Sequence, residues 1–176
     1  MYEGRLVRLR PLEWADAERY REWVNDASLA SLVDRFRPVT LDEHRRWYES
    51  VTTSESVVMF AVDDRESGSF LGCVWLYGVD LRHLRAEVRI LLGKTVGKGR
   101  GTDALRTLAN VAFERQGLQK LWAEVLDTNA PALAAFEKAG FRKEGLLQSD
   151  RFVDGARRDV VRFGLRPGES GASASD

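Results

Sequence analysis

The stretch ILLGKTVGKGRGTDAL, residues 90–105, joins an apolar run to a glycine-rich turn and then to a segment with helical spacing. Three glycines within five positions exceed the needs of a simple turn, and glycine lets the main chain approach a ligand closely. A helix N-terminus also favours an anion. The stretch therefore predicts a pyrophosphate bound by main-chain N–H groups, with two side chains adding positive charge. The residues predicted to bind it are Gly97, Lys98, Gly99, Arg100, Gly101 and Thr102.

Two other phosphate-binding motifs fit the same stretch less well. A nucleoside triphosphate loop requires a glycine where Val88 stands. The pattern Gly99-x-Gly101-x-x-Ala104, with the acidic Glu124 downstream, matches a dinucleotide fingerprint. That fingerprint belongs to the first strand–helix turn of a repeated domain, whereas a long mixed region precedes it here. A dinucleotide site and a plain flexible loop remain as weaker alternatives.

The rest of the chain alternates between strand and helix patterns. Strands are predicted in GRLVRLR, SVVMFAVDD, SFLGCVWLYGVD, AEVRILLG and KLWAEVLD, and in two final segments around the turn VDGA. One helix precedes a second that begins at Leu41, because Thr40-x-x-Glu43 is a capping-box signature. A third helix follows the glycine turn, and Thr128 or Asn129 caps a fourth.

These elements predict an α/β (α+β) protein with one central mixed sheet. Residues 1–166 are expected to form a single domain. The segment 167–176 is small and polar, so we expect a disordered tail.

Composition excludes several classes of function. The 176 residues carry 27 basic and 27 acidic side chains, so no positive excess indicates a nucleic-acid partner. No apolar run approaches the length of a membrane-spanning helix, and the first residues lack a signal-peptide core; we therefore expect a cytoplasmic protein without a membrane partner. Cys73 lies in an apolar run and is expected to be a buried, inert thiol. His44 and His83 are too few and too separate to predict a metal site.

The segments VGKGRGTDAL and DTNAPALAAFEKAGF together resemble the GCN5-related N-acetyltransferases (GNAT). The likeness is to the branch of RimJ/RimL-like, spermidine and amino-sugar acetyltransferases, and it extends to the opening and closing segments of the chain. It implies an acyltransferase fold with a mostly antiparallel sheet of about seven strands and about four helices. It also implies acetyl-CoA as co-substrate, with its pyrophosphate on the pattern Q/R-x-x-G-x-G/A. Val96 stands at the first place of that pattern, which removes one side-chain contact.

The same resemblance implies where the acyl group is delivered. The strand in AEVRILLG should separate from the strand in KLWAEVLD, so that pantetheine lies in the gap against N–H groups of Leu91 and Leu92. Glu87 is then expected to act as the general base, directly or through water. Asn129 is expected to contact the pantetheine arm, and Phe136 to pack near the sulfur. For Glu87 the alternative is an ion pair with a neighbouring arginine, and for Asn129 an ordinary helix cap.

The general acid is left unassigned. Phe136 occupies the position at which many family members have a tyrosine, and Ala132 replaces a serine that some relatives use. Another tyrosine such as Tyr77, a water molecule, or departure of the unprotonated thiolate all remain open.

The acceptor site is expected between the first two helices and the last hairpin. Its candidate residues are Asp34, His44, Trp47, Trp75 and Phe152. His44 and Trp47 could stack on a ring, or His44 could be an exposed helix residue beside a core-facing Trp47. The predicted acceptor is a small primary amine such as an amino sugar or polyamine, acetylated by direct attack in a ternary complex. A protein N-terminus, or a catalytically weak acyl-CoA-binding module, is the alternative; a homodimer is also expected.

Overall fold

The computed structural model describes residues 1–30, 32, 37–93 and 97–169. The described part contains eight strands, namely β1 Tyr2–Glu3, β2 Val7–Pro11, β3 Val57–Asp64, β4 Phe70–Asp80, β5 Arg85–Leu92, β6 Lys120–Leu126, β7 Arg142–Val153 and β8 Ala156–Leu165. Its α-helices are α1 Trp14–Val24, α2 Ala27–Ala30, α3 Leu41–Thr53, α4 Arg100–Asn110 and α5 Ala130–Lys138. A π-helical segment, Val111–Arg115, continues α4. The predicted tail lies mostly outside the described residues.

All eight strands form one sheet in the order β1-β2-β3-β4-β5-β6-β8-β7. Every neighbouring pair is antiparallel except β5 and β6, which are parallel and are therefore joined by the α4 crossover. The predicted class and mixed sheet are confirmed. The strand count is higher by one because the two-residue β1 pairs with β2, and the helix count is higher because of the single turn α2.

Local sequence signals set the element boundaries. At the start of α3, the Thr40 side chain accepts a hydrogen bond from the Glu43 N–H while the Glu43 carboxylate bonds the Thr40 N–H, which confirms the capping box. Asn129 caps α5, because its side chain accepts from the Ala132 N–H. Gly155, with φ of +78°, closes the β7–β8 hairpin at the predicted VDGA turn.

The sheet is covered on both faces. Helices α4 and α5 pack on one face in a core that includes Val74, Ala86, Leu105 and Phe136. Helices α1 and α3 cover β3 to β5 on the other face, where Tyr20, Cys73 and Leu91 are buried. Successive side chains of a strand point to opposite faces, so each central strand contributes to both layers.

A buried ion network fixes α1 to the sheet. The Arg10 guanidinium donates to both carboxylate oxygens of Asp16, at 2.5 and 2.8 Å, and to those of Asp63, at 2.6 and 3.0 Å. Burial alone would raise the pKa of Asp16, but hydrogen bonds from Arg10 and from the Glu13 N–H bring it below its ordinary value. The network joins β2, α1 and β3.

The two parallel strands separate partway along their length. β5 pairs with β6 only from Arg85 to Glu87, opposite Lys120 to Trp122. Beyond Glu87, β5 continues to Leu92 against β4, while β6 continues to Leu126 against β8. The edges of β5 and β6 therefore leave a wedge between them in the middle of the sheet, as the resemblance implied.

Candidate active site

The register of β5 decides which amides face the wedge. The Gly93 N–H donates to the Leu71 carbonyl at 2.9 Å, and Gly93 continues the β4–β5 register. Along an antiparallel pair, every second residue directs its N–H group to the partner strand. The N–H group of Leu91 therefore also points to β4, where Cys73 lies opposite. Ile90 and Leu92 then direct their N–H groups into the wedge. In this register Leu92, with Ile90, is better placed than Leu91 to offer its N–H to pantetheine, and the contacts of Leu91 and Leu92 with pantetheine stay predictions.

The glycine turn lies at the open end of the wedge. Gly99, with φ of +83°, precedes the first residue of α4, and Lys98 adopts φ of +59°. The first intrahelical bond runs from the Asp103 N–H to the Gly99 carbonyl, at 2.9 Å. The N–H groups of Gly101 and Thr102 precede that bond and remain available. A Cβ on Gly101 would lie 3.6 Å from Leu92 Cδ1, so this amide borders the end of β5.

The two cations of the turn differ in their surroundings. Arg100 is hydrogen-bonded through Nε to the Asp64 carboxylate at the end of β3, while Lys98 is exposed. The Ser67 N–H, followed by Arg100, lowers the pKa of Asp64 to about 2. Both cations line a shallow hollow of about 340 Å³ that Gly97 also borders. Val96, the departure from the family pattern, lies outside the described residues.

A larger cavity of about 790 Å³ extends from the wedge to α3. It brings together side chains from α1, α3, α5 and the six strands β3 to β8. The predicted residues that line it are Glu87, Leu91, Asn129, Phe136, His44, Trp47 and Trp75. Most of the proposed catalytic, pantetheine and acceptor groups therefore share one cavity, and the glycine turn lies beside it.

Glu87 lies on the cavity wall in a fixed orientation. Its side chain is only 12% exposed, and both carboxylate oxygens accept from Arg89, at 2.7 and 2.9 Å. The Arg89 guanidinium also lies 4.0 Å from the centre of the Tyr77 ring. Residues two apart on a strand share a face, which explains why Glu87 and Arg89 meet. Glu87 is thus both a cavity residue and half of an ion pair.

Asn129 and Phe136 each have a structural role as well as a place in the cavity. The Asn129 side chain accepts from the Ala132 N–H at 3.2 Å and donates to the Leu32 carbonyl at 3.1 Å. Phe136 is 2% exposed, and its ring packs 5.0 Å from the Phe141 ring. Neither Phe136 nor Ala132 can supply a proton, so the cavity offers no acid at the usual positions.

His44 is part of an aromatic stack. Its side chain is buried, with Nε2 placed 2.6 Å from the Ala17 carbonyl, so Nε2 carries the donated proton. Its ring lies 4.7 Å from the Trp47 ring, and Trp47 in turn lies 5.5 Å from Tyr20. The alternative of an exposed His44 is wrong because α1 packs directly over it. The stack forms a wall of the cavity.

The other two acceptor candidates are placed differently. Phe152 is 65% exposed near the β7–β8 hairpin and is not among the described residues that line the cavity. Its neighbour Arg151 does line the cavity, and because successive side chains of a strand point to opposite faces, Phe152 points away from it. Asp34 lies outside the described residues.

Sequence reasoning missed part of the cavity wall. Glu124 of β6 lines it and accepts hydrogen bonds from Arg151 at 3.0 Å and from Arg162 at 2.7 Å. Arg46 of α3 also lines it. The signal for Glu124 was its place on the strand beside Glu87, whereas Arg46 looked like any exposed helix residue.

The described ranges contain no cluster of three or more histidine, cysteine or acidic side chains placed to bind a metal ion. None of the helices there is long and apolar enough to span a membrane. Cys73 is fully buried, and burial, followed by the charge of Asp16, raises the pKa of its thiol.

A mixed sheet that opens into a wedge, with a glycine turn at its open end, is the arrangement that the resemblance implied for an acetyl-CoA-binding enzyme. The chain belongs to the acetyltransferase (GNAT) domain family, whose sequence model matches residues 6–142. Members of this family use acetyl-CoA as co-substrate, and the chain is accordingly an N-acetyltransferase of the acyltransferase class, as predicted.

Several known proteins are similar to it. YdaF of Bacillus subtilis, provisionally named a ribosomal N-acetyltransferase, is 28% identical over 171 residues, which cover 90% of each chain. Spermidine N(1)-acetyltransferase of Escherichia coli K12 is 29% identical over 158 residues, covering 89% of this chain and 84% of that protein. The structure of Vibrio cholerae spermidine N-acetyltransferase in complex with CoA and spermine superposes with a TM-score of 0.87 at 24% identity, covering 94% and 98% of the two chains. At that identity the last likeness shows the fold.

Proposed function

We propose that the protein transfers an acetyl group from acetyl-CoA directly to a small primary amine while both are bound. The observation that supports this most strongly is the wedge between β5 and β6, which has Glu87 at its closed end and the glycine turn, through Gly101 beside Leu92, at its open end. The CoA pyrophosphate would accept hydrogen bonds from main-chain N–H groups of the turn. The pantetheine arm would lie along β5 beside Ile90 and Leu92.

The reaction requires a neutral amine, a polarised carbonyl and a departing thiolate. A free ammonium group has a pKa of about 10.4, so a base must take its proton. Glu87 accepts that proton, directly or through a water molecule, as the amine nitrogen bonds to the thioester carbon. An N–H group that β5 turns to the wedge donates to the carbonyl oxygen as charge develops there. The C–S bond then breaks, and because a thiol has a pKa of only about 8.5, its thiolate can leave without a dedicated acid. The nitrogen gives up its second proton to water or to the departed thiolate, which leaves the neutral amide and CoA.

The experiment for this function is release of free thiol from acetyl-CoA with a panel of amines that includes amino sugars, polyamines and N-terminal peptides. Glu87→Gln should lower kcat/KM by about 10²–10⁴-fold because a general base typically contributes that much. CoA affinity should stay unchanged. Glu49→Gln, an exposed glutamate of α3, is the matched control. If Glu87→Gln is as fast as wild type, Glu87 is not the base.

A protein N-terminus is the second candidate acceptor, and the likeness to YdaF favours it. The absence of a proton donor at Phe136 and Ala132 is the reason to keep a weakly catalytic acyl-CoA-binding module as a third reading. N-terminal peptides in the panel test the second, and CoA binding without thiol release from any amine would support the third. We also propose a cytoplasmic protein that self-associates as a homodimer; a related Vibrio cholerae spermidine N-acetyltransferase is dodecameric.

A further inference from the structure

The carboxylates of the cavity are already neutralised by arginines. Among the described lining residues, Glu87 is bound by Arg89 and Glu124 by Arg151, as given above. Glu43 pairs with Arg37 at 2.8 Å, and this hydrogen bond from Arg37 is the main reason that the pKa of Glu43 falls to about 2. No described glutamate of the cavity is therefore left to bind a cationic substrate by itself.

Among the described lining residues, Arg46 carries a positive charge that no carboxylate matches. Four arginines and three glutamates line it in the described part of the chain. Arg37, Arg89 and Arg151 each contact one of those glutamates. Arg46 makes no hydrogen bond or ion pair with any described residue, and it stands at the rim, one position before Trp47.

The position of Arg46 differs from that of its neighbour on the helix. The Arg45 guanidinium lies 4.8 Å from the centre of the Trp14 ring and is not among the described cavity-lining residues. Adjacent residues of a helix do not share a face. Arg46 therefore lines the cavity and Arg45 does not, so a substitution of Arg45 is a matched control for one of Arg46.

We propose that the acceptor carries an anionic group, a carboxylate or a phosphate, in addition to its reacting amine, and that Arg46 binds this group. A polyamine carries several positive charges at neutral pH, because each of its amines has a pKa well above 7. It would meet an excess of arginine with every described glutamate already paired. An arginine guanidinium, in contrast, binds either anion through charge-assisted hydrogen bonds. The aromatic wall of Trp47 and Trp75 would contact the body of the acceptor between the two groups.

This proposal rests on the proposed function, and the test uses acceptors that differ only in the anion. Tryptophan and tryptamine differ by a carboxylate, and glucosamine 6-phosphate and glucosamine differ by a phosphate; spermidine represents the polyamines. In each pair, the anionic member should have the higher kcat/KM, and spermidine should be the poorest acceptor. The pair with the larger ratio identifies which anion the site takes.

Arg46→Gln provides the second arm. Loss of one hydrogen-bonded charge should raise KM for the preferred anionic acceptor by about 10-fold or more, with kcat changed far less. The same substitution should have a much smaller effect on KM for the uncharged member of that pair. Arg46→Lys should recover part of the affinity, and Arg45→Gln should leave both KM values as in wild type.

Equilibrium binding of the same pairs to the CoA-loaded protein, by calorimetry, separates this proposal from the proposed function. Tighter binding of an anionic member, reduced by Arg46→Gln but not by Arg45→Gln, supports the acceptor class even if no amine is acetylated, in which case the proposed function fails. If spermidine is the best acceptor or ligand, or if Arg46→Gln affects charged and uncharged members equally, the proposal is overturned while acetyl transfer stands.

Discussion

A substitution at Gly101 can change CoA binding without changing the stability of the fold. Its position in the first turn of α4 favours a negative charge for the helix, but the same charge would repel a pyrophosphate bound there. We expect Gly101→Asp to raise the Kd for CoA by at least about 10-fold and to leave the urea midpoint of unfolding unchanged or slightly higher. Calorimetric titration and urea denaturation measure the two effects.

Gly101→Ala is the matched control for this substitution. Its Cβ would meet only Leu92 Cδ1 at 3.6 Å and Ala135 Cβ at 3.9 Å, which are ordinary contacts. Gly99 is less suitable, because its φ of +83° would strain any other residue and mix folding with binding. Equal CoA affinity in Gly101→Asp and Gly101→Ala would contradict a pyrophosphate at this turn.

Cys73 gives a second prediction at the residue scale. Because burial raises the pKa of its thiol, we expect no reaction with a disulfide reagent such as DTNB in the folded protein and one equivalent after unfolding in urea. A folded-state pKa above the unfolded value of about 8.5 stabilises the fold below that pH, and the contribution is lost as pH rises above it. Rapid labelling of the native protein would show that the core over Cys73 opens readily.

The role of a single residue could be predicted from the sequence when its partners lie close to it along the chain. The roles of Thr40, Glu43 and Asn129 as caps were predictable, because their partners lie within three residues. The burial of His44 was not, since it depends on the Ala17 carbonyl 27 positions away in the chain. Likewise, the ion pair of Glu87 with Arg89 could be anticipated from strand periodicity. The absence of a described ion-pair partner for Arg46 could not.

At the scale of elements, the Arg10 network determines how firmly α1 is held against β2 and β3. Arg10→Met would leave the carboxylates of Asp16 and Asp63 buried without their cation. Removing one partner of a buried charge pair typically costs about 3–5 kcal/mol of unfolding free energy, and the partial exposure of Arg10 favours the lower end. Arg8→Met, two residues away in a more exposed pair with Glu3, should cost less than about 1 kcal/mol. Similar urea midpoints for the two variants would contradict a stabilising role of the network.

The same network predicts a pH dependence. The folded-state pKa of Asp16 is lowered, so its contribution is present above the unfolded value of about 3.9 and is lost as pH falls through the folded value. We therefore expect the unfolding free energy of the wild-type protein to decrease below pH 4 or so. Arg10→Met should show a shallower decrease, because Asp16 then loses the donors that lower its pKa. Parallel pH profiles in urea titrations would contradict this assignment.

Most elements followed from periodicity and caps, whereas the register of β5 did not. Residues 85–92 have the apolar pattern of a strand, but the directions of their N–H groups follow only from the Gly93–Leu71 hydrogen bond, which places the N–H groups of Ile90 and Leu92, not that of Leu91, toward the wedge. A one-residue choice of this kind depends on the neighbouring strand and is not encoded within the segment itself. The two-residue β1 was also beyond prediction, since it exists only through its pairing with β2.

At the scale of the whole molecule, we expect CoA to stabilise the folded protein specifically. A ligand that binds only the folded state adds about 2.7 kcal/mol at a free concentration of 100 times its Kd. CoA should therefore raise the Tm, and NADH and ATP at equal concentration should have little effect, because the sheet is mostly antiparallel and lacks a repeated dinucleotide-binding unit. A larger rise of Tm with NADH than with CoA would restore the dinucleotide interpretation of the glycine turn.

The most direct measurement is a crystal structure of the protein with CoA. We expect the pyrophosphate within hydrogen-bond distance of N–H groups between Gly97 and Thr102. We expect the pantetheine to lie along β5 in the wedge, with the sulfur directed into the cavity beside Glu87. A CoA molecule bound elsewhere, or a thiol end that points away from Glu87, would contradict the proposed acetyl-CoA site.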